Sequence, residues 1–139
     1  MLTLKARALH SVLLLAVLVA TGCSNIAERQ RGDELTDSLR TYAKLLRWGL
    51  YEDASQYLRH PDDEAITVDL ARYEGVKITS YNNVTEGMVD SGLESRVVTV
   101  IAYYRQDTGV LREIRYEQVW WYDEESGRWF LNGTLPDFR

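Results

Sequence analysis

The feature that most constrains the fold of this chain is a succession of strand-like segments in its C-terminal half. "RVVTVIAYYR" (96–105) is rich in β-branched and aromatic residues, and "LREIRYEQVWWYD" (111–123) alternates charged and apolar residues along its first half. The Asp-Thr-Gly of residues 107–109 predicts a hairpin turn between them. "EESGR" predicts a further turn before a short strand, "WFLNG", and residues 76–81 alternate as an earlier strand would. Because short turns join antiparallel neighbours, we expect an antiparallel sheet of about four strands.

Two helices are predicted ahead of this sheet. One apolar stripe has the spacing of an α-helix and comprises Leu35, Leu39, Tyr42 and Leu46. Gly49 is the expected stop of this helix. A second, shorter helix before Pro61 would carry Leu50, Ala54, Tyr57 and Leu58 on one face. The order of elements predicts an α+β fold, with two N-terminal helices packed on one face of the sheet.

Two stretches resemble a known family. "LRWGLYEDASQYL" (46–58) is similar to the helical start of NTF2-like, or cystatin-like cone, domains, and "VWWYDEESGRWFLNGTLPDF" (119–138) is similar to their ending. The resemblance covers about residues 35–138 and implies a curved sheet wrapped around the helices. Members of that family include enzymes, ligand carriers and interaction modules, so the fold alone does not identify a function.

The N-terminus has the pattern of a secretory signal. Lys5 and Arg7 precede an apolar run over residues 12–20, and small residues follow it. A bilayer span needs roughly 20 apolar residues, and this run has about half that length. A cleaved signal is therefore favoured over a short transmembrane anchor.

The end of the signal resembles the lipobox of bacterial lipoproteins. The segment that carries the resemblance is Ala20-Thr21-Gly22-Cys23, and it contains the one cysteine of the chain. The resemblance implies acylation of Cys23 and cleavage after Gly22, and Ser24 implies sorting to the periplasmic face of the outer membrane. The expected organisation is a signal peptide (1–22), a lipidated tether (23–32) and one globular domain (33–139).

Charge and cysteine content exclude several classes of function. Loss of Lys5 and Arg7 with the signal takes the formal charge from −5 to −7. An acidic chain without a basic patch is a poor ligand for nucleic acid, so we expect the membrane, through the lipid anchor, and envelope proteins as partners. A single cysteine leaves the domain without an internal disulfide.

No residue set in the sequence predicts a catalytic or metal centre. His10 leaves with the predicted signal, so His60 stands alone, which excludes the usual zinc sites. Asp62-Asp63-Glu64 lacks the spacing of a calcium loop. Glu113, Arg115 and Glu117 share one side of a strand and indicate a cross-strand ion ladder on solvent. A buried carboxylate beside a tyrosine, with Glu117 or Asp69 as the candidates, would instead indicate an enzyme. We expect no cofactor.

Aromatic residues are the candidate recognition groups. Eleven of the fifteen aromatic residues lie at or after Tyr73, more than one buried face needs. If Val98, Val100 and Ala102 face the helices, the opposite side of the sheet forms a partner-binding surface. Its expected residues are Tyr81, Tyr103, Trp121 and Phe130.

The sequence therefore predicts a lipoprotein anchored in the outer membrane, acting as a non-catalytic protein-interaction module that forms a homodimer or binds an envelope protein. The alternative is a carrier that binds a small apolar or envelope-derived ligand in the cone. An NTF2-like enzyme is the third possibility, and it would require a buried carboxylate facing the pocket.

Overall fold

The computed structural model describes the backbone of residues 2–64, 66–89 and 91–139, and the side chains of these ranges from residue 25 onward. The chain divides into two compact units, Met1–Asp33 and Glu34–Arg139. Cys23 lies outside the residues whose side chains are described, so its acylation stays a prediction. Within the described ranges, no helix is both long enough and apolar enough to cross a bilayer.

The first element is a long helix, α1, over Leu2–Arg47. Its predicted apolar stripe is confirmed, because Leu35, Leu39, Tyr42 and Leu46 are all buried. The helix ends before Gly49, whose φ of 74° lies in the left-handed region that favours glycine. Residues 23–32, the predicted tether, are helical within α1. Alanine, glutamate, glutamine and arginine fill positions 27–31, and all four favour helix over an irregular segment.

The second helix, α2, is shorter than the sequence predicts and covers only Tyr51–Ser55. Beyond it the backbone pairs with the sheet, because the Leu131 amide donates to the Tyr57 carbonyl (2.7 Å) and the Arg59 amide donates to the Leu131 carbonyl (3.1 Å). Leu58 thereby forms a parallel bridge with Leu131. Leu50 is 45% exposed, so its expected place on a buried helical face is wrong. A 3₁₀ helix over Leu70–Tyr73 leads into the sheet.

The sheet has four antiparallel strands in sequential order, which confirms the predicted α+β class. The strands are β1 (Val76–Met88), β2 (Glu94–Arg105), β3 (Leu111–Asp123) and β4 (Arg128–Leu131). Both predicted glycine turns are present, with Gly109 at φ 62° between β2 and β3 and Gly127 at φ 66° between β3 and β4. β1 continues well past the predicted end at residue 81, and its register with β2 shifts at Ile78/Ser80 and again at Asn83/Thr85.

The register divides the sheet into two faces, since residues directly opposite each other on neighbouring strands point to the same side. The inner face packs on α1, where Trp120 meets the ring of Tyr42 at 5.5 Å between centroids. It carries the buried residues Ser95, Val97, Thr99, Ile101 and Tyr103 of β2, opposite Trp120, Gln118, Tyr116, Ile114 and Arg112 of β3. The outer face carries Val98, Val100, Ala102 and Tyr104 of β2, opposite Glu117, Arg115, Glu113 and Leu111 of β3.

The predicted assignment of these faces is wrong. Val98, Val100 and Ala102 were expected against the helices, yet they lie on the outer face, and the buried alternation of β2 starts at Ser95 and runs through Tyr103. Both alternations of "RVVTVIAYYR" are largely apolar, so apolar content alone does not distinguish them. A shift of one residue exchanges every side chain between the faces.

The C-terminal segment completes the inner side of the sheet. Leu135 and Phe138 are buried, and the ring of Phe138 lies 4.7 Å from Tyr103, 6.1 Å from Tyr73 and 6.5 Å from Tyr51. The Tyr103 hydroxyl donates to the Arg139 carbonyl at 2.6 Å. The end of the sheet next to α2 is thus filled by the chain's own aromatic residues.

Candidate functional site

The four aromatic residues predicted to bind a partner do not form one surface. Tyr103 is 1% exposed and belongs to the core of the inner face, so its expected exposure is wrong. Tyr81 also faces inward, because it pairs with Ile101 of β2. Trp121 and Phe130 pair across β3 and β4 on the outer face, with ring centroids 5.6 Å apart. The same error in face assignment explains both inward-facing residues.

The outer-face pair Trp121 and Phe130 is covered by Arg59. The guanidinium carbon of Arg59 lies 5.0 Å from the ring centroid of Phe130 and 5.9 Å from that of Trp121. The Trp121 indole N–H donates to the Arg59 carbonyl at 2.8 Å. This bond holds residues 57–59, which pair with β4, against the Trp121 ring. Phe130 is only 7% exposed as a result. Stacking of this kind stabilises the sheet margin and leaves Trp121 as the one half-exposed member of the pair.

A carboxylate completes this stack. Asp123 accepts a hydrogen bond from the Ser126 hydroxyl at 2.6 Å and lies 3.4 Å from the Arg59 guanidinium. The Ser126 hydroxyl, backbone N–H groups of the turn and the Arg59 charge together lower the pKa of Asp123. Arg59 also donates to Asp63 at 2.7 Å, so the acidic loop holds the arginine over the aromatic rings. The acidic loop therefore has a local structural role.

The centre of the outer face is an apolar strip with charges along one side. Val98, Val100, Ala102 and Tyr104 are half-buried, and Leu111 is 66% exposed. Arg115 and Glu117 form an exposed ion pair at 3.7 Å within β3, whereas the predicted ion ladder runs between strands. Arg59 and Arg128 both stack on Phe130 at the β4 margin of this face, with Arg128 5.5 Å from the ring centroid.

The inner face holds a buried polar network that the sequence analysis did not identify. The Trp120 indole N–H donates to Oε1 of Gln118 at 2.9 Å. The amide nitrogen of Gln118 donates to the Thr99 hydroxyl at 2.7 Å and to the Tyr81 hydroxyl at 3.1 Å. Thr99 in turn donates to Oδ1 of Asn83 at 2.8 Å. Gln118 and Thr99 are 2% and 0% exposed, so the network satisfies polar groups that burial would otherwise penalise.

The signal for this network is present in the sequence. Thr99 interrupts the apolar run of β2, and Gln118 interrupts the apolar end of β3. The register places Thr99 and Gln118 two positions apart across the strand pair, within reach of each other. Polar residues inside otherwise apolar strands on the same face are therefore the recognisable sign of a buried network.

A second hydrogen-bonded group joins α1 to the sheet. The hydroxyls of Tyr42 and Tyr116 lie 2.9 Å apart, and Tyr116 donates to the Thr134 carbonyl at 2.7 Å. Burial raises the pKa of Tyr42 well above its ordinary value, with the neighbouring Tyr116 adding to the effect. Burial likewise raises the pKa of Tyr116, although the hydrogen bond with Tyr42 opposes it. Both hydroxyls stay protonated near neutral pH, which suits a structural role better than proton transfer.

A cavity that adjoins the network lies between α1 and β1. Its volume is about 350 Å³, and it is open to solvent. Thr36, Leu39, Arg40 and Ala43 line it from α1, and Tyr81, Asn82, Asn83 and Glu86 line it from β1. Two residues of the network, Tyr81 and Asn83, thus reach the cavity wall. This size is at the lower end of the range for small-molecule sites.

The titratable residues weighed in the sequence analysis lie away from this cavity. Nδ1 of His60 is 2.7 Å from Oδ1 of Asn132, where the segment after α2 meets β4. Asp69 is exposed and accepts from the Ala71 amide, capping the 3₁₀ helix. Glu117 is exposed on the outer face. Within residues 25–64, 66–89 and 91–139, no three His, Cys, Asp or Glu side chains converge as metal ligands.

Comparison with known proteins yields no relative from which to assign a family. No family model matches the chain, and neither a curated protein nor a solved structure is significantly similar to it.

Proposed function

We propose that this chain is an envelope lipoprotein, anchored in the outer membrane through Cys23, whose α+β domain of NTF2-like type is a non-catalytic interaction module. The observation that carries the proposal is the outer face, where an apolar strip lies beside paired charges. Apolar residues mixed with arginine are typical of recognition surfaces. The four-stranded antiparallel sheet packed on helices is compatible with the NTF2-like resemblance.

The occupant that we propose for the outer face is a second copy of this chain. Lys77, Arg96 and Arg115 share the face with Glu113 and Glu117, because they pair with outer-face residues of the neighbouring strands. The centre of the face is therefore nearly neutral, whereas the predicted mature chain has a formal charge of −7. Two copies can approach through this face without the repulsion that the rest of the surface would impose.

The test of the interface is a charge placed in the apolar strip. Val100→Glu adds a carboxylate at a half-buried outer-face position, and Val84→Glu is the matched control at a valine that is 52% exposed on β1. Sedimentation equilibrium of the full chain in density-matched detergent should show at least roughly tenfold weaker self-association for Val100→Glu, and no change for Val84→Glu. Equal association of wild type and Val100→Glu would reject the outer face as the dimer surface.

The lipid anchor needs a separate test. Cells that express wild type or Cys23→Ser are labelled with a palmitate analogue, and the protein is recovered from the membrane fraction. We expect labelling of wild type only. Labelling of both proteins would reject Cys23 as the acylated residue.

A ligand carrier is the second candidate function, and the cavity between α1 and β1 favours it. Hydrogen-bonding groups converge there on a small apolar patch formed by Leu39 and Ala43. The end of the sheet next to α2 does not favour it, because Phe138 fills that region.

A further inference from the structure

Hydrogen-bond direction determines what the cavity between α1 and β1 presents to a ligand. An indole N–H only donates, so the bond from Trp120 identifies the Gln118 atom that it contacts as the carbonyl oxygen. The amide nitrogen of Gln118 then points the other way, and its two hydrogens go to Thr99 and Tyr81. The Tyr81 oxygen therefore accepts within the network, and Thr99 also lies within hydrogen-bonding reach of it. Because a hydroxyl hydrogen rotates between partners, a ligand in the cavity that Tyr81 lines can take this hydrogen in place of Thr99.

The hydrogen bonds from Gln118 to Thr99 and from Thr99 to Asn83 run in the same donor-to-acceptor direction. Thr99 accepts from Gln118 and donates to Oδ1 of Asn83, which turns the Asn83 amide nitrogen away from the network. Asn83 is exposed and lines the cavity, so its N–H groups are donors on the cavity wall. Tyr81 and Asn83 together form a pair of donors whose orientation is imposed by buried side chains.

The remaining lining residues narrow the chemistry of the ligand. Arg40 and Glu86 carry opposite charges, and Arg40 already pairs with Asp37 at 3.1 Å. A phosphate or other dianion would face the Glu86 carboxylate, which disfavours it. Leu39 and Ala43 offer apolar surface for a methyl-sized group. An uncharged ligand with an acceptor for Tyr81 and Asn83, a donor for Glu86 and a small apolar group matches all of these features.

We propose that this cavity binds a small neutral secondary amide, with the carbonyl oxygen accepting from Tyr81 and Asn83 and the amide N–H facing Glu86. This inference deepens the carrier alternative and does not depend on the outer-face interface. Two sources share the chemistry, an N-acetylated amino sugar and a short peptide. A cavity of about 350 Å³ with few polar contacts is expected to bind either of them with a dissociation constant in roughly the millimolar range.

The proposal is tested by NMR titration of the full chain in dodecyl maltoside, a detergent without amide groups. The probes are N-acetylglucosamine and N-acetylalanine methylamide, with acetate and inorganic phosphate as charged acceptors for comparison. We expect the Gln118 and Asn83 side-chain amides and the Trp120 indole N–H to shift with at least one amide probe, and saturation to identify its source. Absence of shifts with both amide probes, or tighter binding of acetate or phosphate, would overturn the proposal.

Two variants test the roles of the donors. Tyr81→Phe removes one hydroxyl donor and should weaken amide binding about tenfold, whereas Tyr104→Phe removes a hydroxyl from the outer face and should have no effect. Asn83→Asp keeps the acceptor for Thr99 and replaces the donor with a carboxylate, so it should abolish binding even if Tyr81→Phe fails to fold. Unchanged affinity in Asn83→Asp, or equal effects of the two tyrosine variants, would overturn the proposal. Val100→Glu should bind the amide with the affinity of wild type. The experiments therefore distinguish a failure of the amide-site proposal from a failure of the dimer-face proposal.

Discussion

The inner and outer faces of this sheet are built from the same two strands in opposite ways. On the inner face, Thr99 and Gln118 are polar, buried and hydrogen-bonded. On the outer face, Val98 and Val100 are apolar and half-exposed. Apolar content therefore does not identify the buried face of this sheet. Burial follows from what α1 and the C-terminal segment cover, and the polar residues that they cover are satisfied by one another.

The largest expected contrast between the faces comes from two adjacent tryptophans. Trp120 is 0% exposed on the inner face, packs against Tyr42 and Tyr57, and donates to Gln118. Trp120→Ala should therefore lower the free energy of unfolding by about 3–5 kcal/mol. Trp121→Ala, on the outer face, should lower it by only about 1–2 kcal/mol, through loss of the Arg59 stack and one hydrogen bond.

Urea unfolding followed by circular dichroism measures both free energies without relying on tryptophan fluorescence. Equal losses for the two variants would show that the faces are equally buried, and the assignment of inner and outer would then be wrong.

A smaller difference in unfolding free energy is expected between Thr99→Val and Val100→Thr, two substitutions that exchange a polar and an apolar side chain at neighbouring positions of β2. Thr99→Val removes a hydroxyl that accepts from Gln118 and donates to Asn83, which leaves a buried amide donor without its partner. The expected loss in unfolding free energy is about 1–3 kcal/mol. Val100→Thr places a hydroxyl on the half-exposed outer face and should change stability by less than about 0.5 kcal/mol. A neutral Thr99→Val would show that the network does not stabilise the fold.

Strand β2 shows how far the sequence predicts the structure. The α+β class, the stripe of α1 and the two glycine turns follow from local patterns, and the structure confirms them. The orientation of β2 does not follow, because Val97 and Val98 begin two largely apolar alternations, and the one that contains polar Thr99 is the buried one. The choice between them depends on contacts with Tyr42 and Phe138, which are remote in sequence. The cavity is formed by residues remote in sequence, on α1 and β1, and only the buried network beside it has a local signal, at Thr99 and Gln118.

A further loss, of about 1 kcal/mol, is expected for Tyr42→Phe, which removes the hydrogen bond to Tyr116 but leaves the Tyr116 donation to Thr134 intact. Tyr104→Phe is the outer-face control and should be neutral. The difference in unfolding free energy between wild type and Tyr42→Phe also depends on pH. Burial raises the pKa of Tyr42, so above pH ~10 the unfolded chain releases a proton that the folded chain retains.

The sign of the pH effect follows from this difference in proton binding. Stability is fully present below the unfolded pKa and falls as the pH rises through the interval up to the folded pKa. Unfolding free energies measured from pH 8 to 11 should therefore decline above pH ~10, less steeply in Tyr42→Phe than in wild type. Identical slopes in the two proteins would show that Tyr42 is not the titrating group.

The smallest effect is expected from removing residues 1–23. Among the side chains that the structure describes, those of the buried core lie at Leu35 or later, so we expect the difference between the two faces not to depend on the N-terminal segment. Residues 24–139 should be soluble and should show a single thermal transition by circular dichroism, with mutational differences unchanged within about 0.5 kcal/mol. A featureless melt, or a requirement for detergent, would show that the core needs the preceding residues.

The margins of the sheet limit how the protein can aggregate. The edge of β4 that faces away from β3 is already hydrogen-bonded to residues 57–59. At the opposite edge of the sheet, the pairing of β1 with β2 is interrupted by two register shifts. Strands that are short, covered or bulged are poor templates for pairing with another molecule. Growth into fibrils by the addition of strands is therefore disfavoured at both margins.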